Sequence, residues 1–443
     1  MNTKIRKIIA YIFIITFLLC STLLVFYTAG YRYDTKKGTI TRTGSIVLDT
    51  EPTNARIYLN NKLLSIKTPD RVNNILPGKY FIKIEKNNHY VWEKKLSVLS
   101  QEATFAQDIN LFFQSEPTIL LENIVWWKYS PNKNFIIVAI NEFEQQHFYL
   151  YNLSNGKKNL IFVNRNNSIE PTIIWSNQND YLVFQTNTFS QIISTTYPPK
   201  TFNLNNANKN IHWDDKNGNI LYYQISNSIY RLNFLTNENS NIFTLPEKVA
   251  LKDYRIYEDK IFVIEKTNNK YFITFYPLDE NKVSLRKTIE LNGSNFRIAE
   301  IINQKIILIN DLNNHLYLTD TSLDKVNFNE QNIVSYDVLP EKNLLLIQTA
   351  EELKFLQMDA NPTNPKSLIR VSQGLTKAQW FKNPNYCFYI DNGKLKIIEL
   401  DDRNGNQIIN LVDEQIQDFS LSPKNEAVYY IQNGNLLYLP IKE

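Results

Sequence analysis

From about residue 124 to Glu443 the chain returns to one pattern roughly every 42 residues: an apolar strand-like run, a short polar turn, and a second apolar run. Eight turns punctuate the series, starting at Ser130, Ser176, Asp214, Tyr257, Asn303, Pro340, Asn383 and Ser422. The runs after them, such as Phe135-Ile136-Ile137-Val138-Ala139 and Leu344-Leu345-Leu346-Ile347, are too short for helices and apolar on both faces. Such runs are expected as strands buried on both sides. A third run follows in each unit, for instance Phe148 to Leu153 and Leu395 to Leu400. A strand-turn period of this length cannot bury its apolar surface one unit at a time, so neighbouring units must stack on one another.

Units of four strands at this period predict a β-propeller of eight blades, or seven if one weak unit merges with its neighbour. The last unit stops after three strands, while Pro117 to Glu122 forms a strand with no unit of its own. Pairing the two would complete the last blade and remove an exposed edge. The repeats resemble the TolB-like and WD-type propeller families, whose blades carry an aromatic-Ser-Pro-Asp-Gly turn. Ser130-Pro131 and Ser422-Pro423 keep the Ser-Pro pair, Trp175-Ser176 keeps the aromatic-Ser step, and none keeps Asp-Gly.

Charge divides unevenly along the chain. Residues 1 to 43 hold seven bases (Lys4, Arg6, Lys7, Arg32, Lys36, Lys37, Arg42) against Asp34, which leaves 41 bases and 43 acids for the rest. A near-neutral body has no phosphate-binding field, so nucleic acid is not an expected partner. Within the basic segment, Ile8 to Ala29 are 22 residues without a charge. As a helix they span about 33 Å, enough for a hydrocarbon core of about 30 Å. Tyr27, Tyr31, Arg32 and Tyr33 cluster at the far end as interfacial anchors would. A cleaved signal peptide is the rival, but no good small-x-small site ends the run. The expectation is a single-pass anchor with the short N-terminal tail in the cytoplasm and the bulk outside the cell membrane.

Residues 44 to 112 alternate with period two, most clearly at Tyr80, Ile82 and Ile84, and proline turns such as Leu76-Pro77-Gly78 separate the runs. Gly44 to Leu48, Pro52-Thr53-Asn54-Ala55, Ile57 to Asn60, Thr68-Pro69, Leu76-Pro77-Gly78, Tyr90 and Trp92 resemble the PEGA family of small β-sandwich modules. That resemblance implies a prokaryotic surface protein. Thr53-Asn54 replaces the family's Glu-Gly, and asparagine tolerates the left-handed turn that glycine would occupy. His89 stands where a glycine is usual and is expected to be solvated, while Trp92 is expected in packing. The whole chain thus reads as all-β after an N-terminal transmembrane helix: tail and anchor 1–33 with the span at 8–29, linker 34–43, sandwich 44–112, and propeller 117–443 closed by strand 117–122.

Function is less legible. In a propeller the connections between second and third strands open on one face, and here they include Glu142, Glu144, Asp311, Glu351, Glu352 and Asp391. These residues are the candidate ligand-binding face. Carboxylates and neighbouring amides suit cations, basic peptides or sugars. Turn chemistry is the favoured explanation of the amides, as Asn392-Gly393 and Asn433-Gly434 fit two-residue hairpin loops. The four histidines are dispersed without metal-ligand spacing, no nucleophile motif or phosphate loop occurs, and no cofactor is expected. Cys20 lies in the apolar run and Cys387 alone in the body, so the body forms no internal disulfide. The reading is a non-catalytic, membrane-anchored envelope protein that binds or scaffolds a protein or surface glycan. The alternative is an extracellular glycan hydrolase or lyase in which Glu142, Asp311, Glu351 and Asp391 converge.

Overall fold

The computed structural model describes residues 3–35, 37–165, 170–187, 189–205, 209–278, 286–360 and 364–443; Lys36, one of the seven N-terminal bases, lies outside them. The chain divides into two compact units: residues 1–115 with 398–409 and 442–443, and residues 116–397 with 410–441.

The first unit begins with the helix Thr3–Thr28. Ile5–Thr28 is long and apolar enough to cross a membrane, with a mean hydropathy of 2.7, and none of it is buried in protein. The helix stops at Gly30, whose φ of +82° is readily available only to a residue without Cβ. Arg32 completes the end by donating to the Tyr27 carbonyl at 2.7 Å and lying 3.6 Å above the Tyr27 ring, a cation placed at the negative pole of the helix. The hairpin Tyr31–Asp34 with Thr39–Arg42 follows, straddling the boundary expected between anchor segment and linker. Thr43 then donates back to the Gly30 carbonyl from both its N–H and its hydroxyl.

Two sheets make the sandwich. One pairs Gly44–Glu51 antiparallel with Asp70–Ile75 and parallel with Ala103–Asn110, and the other holds Arg56–Leu59, Lys62–Lys67, Gly78–Glu85 and Trp92–Val98. Ile46, Leu48, Ile57, Ile82, Ile84, Leu96 and Trp92 form their common core, which is why the alternating positions are apolar. Asn54 does adopt a left-handed φ, +66°. His89 corrects its expectation: it is buried, packed edge-on against Phe113 at 5.5 Å, because residues beyond the last sandwich strand fold back over it. Also within this unit, Lys94, its side chain 1% exposed, meets Glu399 at 2.6 Å, and Trp92 donates its indole N–H to the same carboxylate at 3.0 Å.

The second unit is a β-propeller. Among the described residues seven sheets of four consecutive antiparallel strands follow in chain order, opening with strands Ile124–Tyr129, Thr172–Trp175, Lys209–Trp213, Ala250–Tyr257, Phe296–Ile302, Ile333–Leu339 and Leu375–Trp380. The eighth combines Asp418–Leu421, Ala427–Gln432 and Asn435–Pro440 with Thr118–Leu121 as its outer strand. Each sheet buries an apolar face on the next: Phe148 with Phe184, Val183 with Leu221, Tyr222 with Ile261, Phe262 with Ile298, and Ile307 with Leu345. Phe355 meets Trp380 between the sixth and seventh, and Ile136 and Ile140 cluster with Ile431 and Leu436 where the eighth meets the first. Second strands are apolar on both faces because each face meets a neighbouring sheet. The turns read from the sequence all join first to second strands.

The first strand of each sheet is an edge, with backbone groups facing inward unpaired. Side chains of the preceding sheet supply acceptors. Asp253 accepts from Ile298 N at 2.7 Å, Asp337 from Trp380 N at 2.7 Å, and Gln379 from Leu421 N at 3.2 Å.

Candidate functional site

The six acids named from the sequence all lie at hairpins between second and third strands, or beside them, in four different sheets. All four of these sheets tie an acid to cations of the same sheet. Glu142 accepts from the Tyr149 hydroxyl at 2.6 Å and lies 3.7 Å from Lys158. The Tyr149 hydrogen bond holds the Glu142 carboxyl below the usual range, whereas burial and then Glu142 push Tyr149 up to about 12. Asp311 pairs with Arg297 at 2.8 Å, and Asp391 with Lys396 at 2.7 Å. In the sixth sheet Glu352 contacts Arg370 at 2.9 Å and Lys354 at 3.0 Å. Burial alone would raise its pKa, but hydrogen bonds from Ser367, Arg370 and Lys354 outweigh it and hold the carboxyl at about 2.

Glu351 and Glu352 share a concavity of about 560 Å³ with Glu330, Asn332, Thr349 and Arg370. Glu144 and Glu351 are exposed. Among the described residues no three His, Cys, Asp or Glu side chains gather as a metal-holding group.

The hairpin carrying Glu142 and Glu144 breaks the rule its neighbours obey. Its two loop residues, Phe143 and Glu144, both have positive φ, +50° and +60°. That geometry calls for Asn or Gly, as at Asn268-Asn269, Asn392-Gly393 and Asn433-Gly434. A phenylalanine there costs about 1–2 kcal/mol of backbone strain, and its ring stands 92% exposed. Leu312, 70% exposed, occupies the corresponding hairpin of the fifth sheet.

A second polar region, absent from the expectations above, runs along the innermost strands. His212 lies 3.6 Å from Asp253, and Arg255 Nη1 lies against the His212 ring. Burial pulls the imidazole down to about 4, with Arg255 reinforcing the shift and Asp253 opposing it. Burial also lifts the carboxyls of Glu300 and Asp337. Asp337 adds to the rise at Glu300 while Arg255 opposes it, and Lys133 and Lys377 oppose the rise at Asp337. Beside these groups Pro131, Lys133, Asp337, Leu339, Glu341, Lys342, Trp380, Lys382 and Pro423 line a concavity of about 480 Å³. It is built from the first, sixth, seventh and eighth sheets, neighbours around the ring, at the end opposite the hairpin acids.

A sequence signal for the region exists. Asp253, Asp337, Gln379 and Asp418 each stand three or four residues before the start of a repeat turn.

Residues 43–111 match the PEGA domain. The chain carries that module, and the strands of the sandwich account for nearly all of the PEGA match. No curated protein is similar enough in sequence to count as a relative. Among solved structures, the chain is similar to a crystal structure of the eukaryotic initiation factor, at 12% identity and a TM-score of 0.50, over 72% of this chain and 86% of that one. The C-terminal WD40 domain of Sif2 aligns at 14% identity and a TM-score of 0.48, covering 75% of this chain and 100% of that chain. The Dos1 propeller aligns at 14% and 0.47, covering 74% and 95%. At such identities likeness concerns fold alone, and the fold assignment here rests on the strand order and sheet packing described above. The PEGA domain, the propeller and the apolar helix together fit a membrane-anchored protein.

Proposed function

We propose that this chain is a non-catalytic, single-pass membrane protein of a prokaryotic envelope, with its N-terminus in the cytoplasm and its propeller outside, where it docks a protein partner. The observation that carries the reading is Phe143. A large apolar ring is held out in solvent on a turn whose backbone disfavours it. Strain and exposure together cost stability and contribute nothing to the propeller's own packing, the pattern found where a residue serves a contact outside the chain. Glu142, Glu144, Asp311 and Leu312 at the same ends of their sheets provide a polar rim around apolar tips, the composition of a protein interface. The acids act here as rim charges, steering a partner with basic residues rather than performing chemistry. PEGA modules are surface domains, which agrees with an outward-facing body.

The test is photo-crosslinking in intact cells from a benzophenone amino acid placed at position 143 of the full-length chain. A discrete protein adduct, absent when the same probe sits at Leu160 on the outer strand of the same sheet, is the expected result. No adduct at position 143, or the same smear from both positions, overturns the docking reading. Digestion of the body by external protease on intact cells is expected, and protection would overturn the topology.

A further inference from the structure

We infer that the concavity between Lys133, Lys342 and Lys382 is a second binding site on the propeller, one that takes a carboxylate from a partner's peptide chain. The inference rests on the protein-binding reading above and names a different surface and ligand chemistry for it.

The lining is assembled from four consecutive sheets. Lys133 comes from the first-to-second strand turn of the first sheet, Lys342 from that of the sixth, Lys382 from that of the seventh, and Pro423 from that of the eighth. Among the described residues none of the three lysines forms an ion pair with a carboxylate, in a chain where the lysines at 94, 158, 305, 354, 377 and 396 all do. Lys133 is only partly exposed, so burial lowers its ammonium pKa, with Asp337 pulling back the other way. An ammonium desolvated without a bonded counter-ion is costly, and an incoming anion removes that cost.

A second observation points the same way. Trp380 lines the concavity, is 4% exposed, and among the described residues its indole N–H has no acceptor. Buried donors are nearly always paired, so this one is an exception beside the lysines.

The donors decide the class of ligand. Three ammonium groups are all donors, and a carboxylate offers two oxygens with about four lone-pair sites to receive them. A sugar would need an exposed aromatic face, and Trp380 is covered, with Phe355 packed edge-on against it at 5.9 Å. A phosphate dianion would meet stronger repulsion from Asp337 and Glu341 on the same lining than a singly charged carboxylate does. Pro131, Leu339 and Pro423 give apolar walls suited to peptide methylenes. The occupant is therefore an acidic peptide, through an Asp or Glu side chain or a chain terminus.

The experiment uses the full-length chain in nanodiscs and reads acetylation of individual lysines by mass spectrometry. The probes are a short acetylated peptide ending in two glutamates, its neutral glutamine amide counterpart, the glutamate peptide with an amidated terminus, and inorganic phosphate. The acidic peptide is expected to protect Lys133 and Lys382 about tenfold, with the neutral peptide giving none. Retained protection by the amidated glutamate peptide assigns the contact to side chains, and loss assigns it to the terminus. In Lys382→Met, an exposed position whose change leaves the fold intact, protection of Lys133 is expected to fall about tenfold. Equal protection by both peptides, protection by phosphate alone, or none by any probe overturns the inference. Crosslinking from position 143 in the chain with Lys382 intact separates the two readings: an adduct that forms there while no probe protects Lys133 or Lys382 sinks this site and leaves the other docking face standing.

Discussion

Trp127 donates its indole N–H to Asp418 at 2.8 Å, joining the first sheet of the propeller to the eighth across 291 positions of sequence. The other carboxylate oxygen of Asp418 receives Lys377 of the seventh sheet at 2.6 Å, and the same ammonium donates to the Phe419 carbonyl at 2.7 Å. One side chain thus holds three neighbouring sheets at the place where the ring closes. Apolar burial provides the bulk of the closure through the cluster around Ile136, Ile431 and Leu436, but such contacts are non-directional. The hydrogen bonds of Asp418 add a fixed register between strands that share no ladder.

Asp418→Ala leaves a part-buried indole donor and an ammonium without their carboxylate. The expected cost is about 2 kcal/mol in urea denaturation, since the pair is partly solvated and cannot reach the value of a sealed ion pair. Asp418→Asn keeps an acceptor for Trp127 and should lose about half as much. Equal losses in the two variants would show that Trp127 does not feel this contact.

His212 makes the propeller sensitive to mild acid. Its folded pKa, about 4, lies below the ordinary 6.5 because burial and then Arg255 disfavour the imidazolium. The unfolded chain therefore takes up the proton first, and stability present above pH 6.5 is lost as pH falls toward 4. The window is worth about 3 kcal/mol at most, because each tenfold drop in proton affinity on folding corresponds to about 1.4 kcal/mol. Asp253, held low by His212 and Arg255 against the effect of burial, loses its contribution only further into acid. Denaturation of His212→Gln at pH 7 and pH 4.5 should show a markedly smaller difference than the parent chain. An unchanged difference would place the acid sensitivity elsewhere.

How far the sequence reveals this structure depends on how far apart the interacting residues lie. The period of the repeats, the apolar second strands and the alternation at Tyr80, Ile82 and Ile84 are local patterns, and they announce the propeller and the sandwich directly. Asp391 with Lys396 is a contact across one hairpin and belongs to the same class. His89 looks solvated in sequence because nothing near it hints that Phe113 returns to cover it. The hairpin Tyr31–Asp34 with Thr39–Arg42 has strands of four residues, too short to carry a period. Lys133, Asp337 and Trp380 stand in three different repeats, so only the closing of the ring brings them to one concavity. None of them stands out alone.

The tip of the first sheet offers a variant that separates stability from binding. Replacing Phe143-Glu144 by Asn-Gly installs the residues that the observed positive φ values favour. A gain of about 1–2 kcal/mol in chemical denaturation is expected as the strain is relieved. Partner capture should fall in the same variant. A stability loss would mean that the phenylalanine packs where the structure shows it exposed.

Gly44 opens the first strand of the PEGA sandwich, and its place there is set by space rather than by dihedral angle. A Cβ on it would fall within contact distance of the Leu99 carbonyl oxygen and 2.6 Å from Val98 Cγ1. The backbone oxygen cannot withdraw without moving the turn that follows Trp92–Val98, where Glu102 O accepts from Ser45 N and Gln101 N donates to Thr43 O. Gly44→Ala is therefore expected to cost about 2–3 kcal/mol, in the range of overpacked sites. Hydrogen exchange should localise the loss to the strands Gly44–Glu51 and Ala103–Asn110, with the propeller amides unchanged. Gly78, where an added Cβ meets only the Tyr80 ring at 3.6 Å, provides the matched control: Gly78→Ala should leave exchange in both strands as it was. If the two alanines behave alike, close packing at Gly44 is not what the position requires.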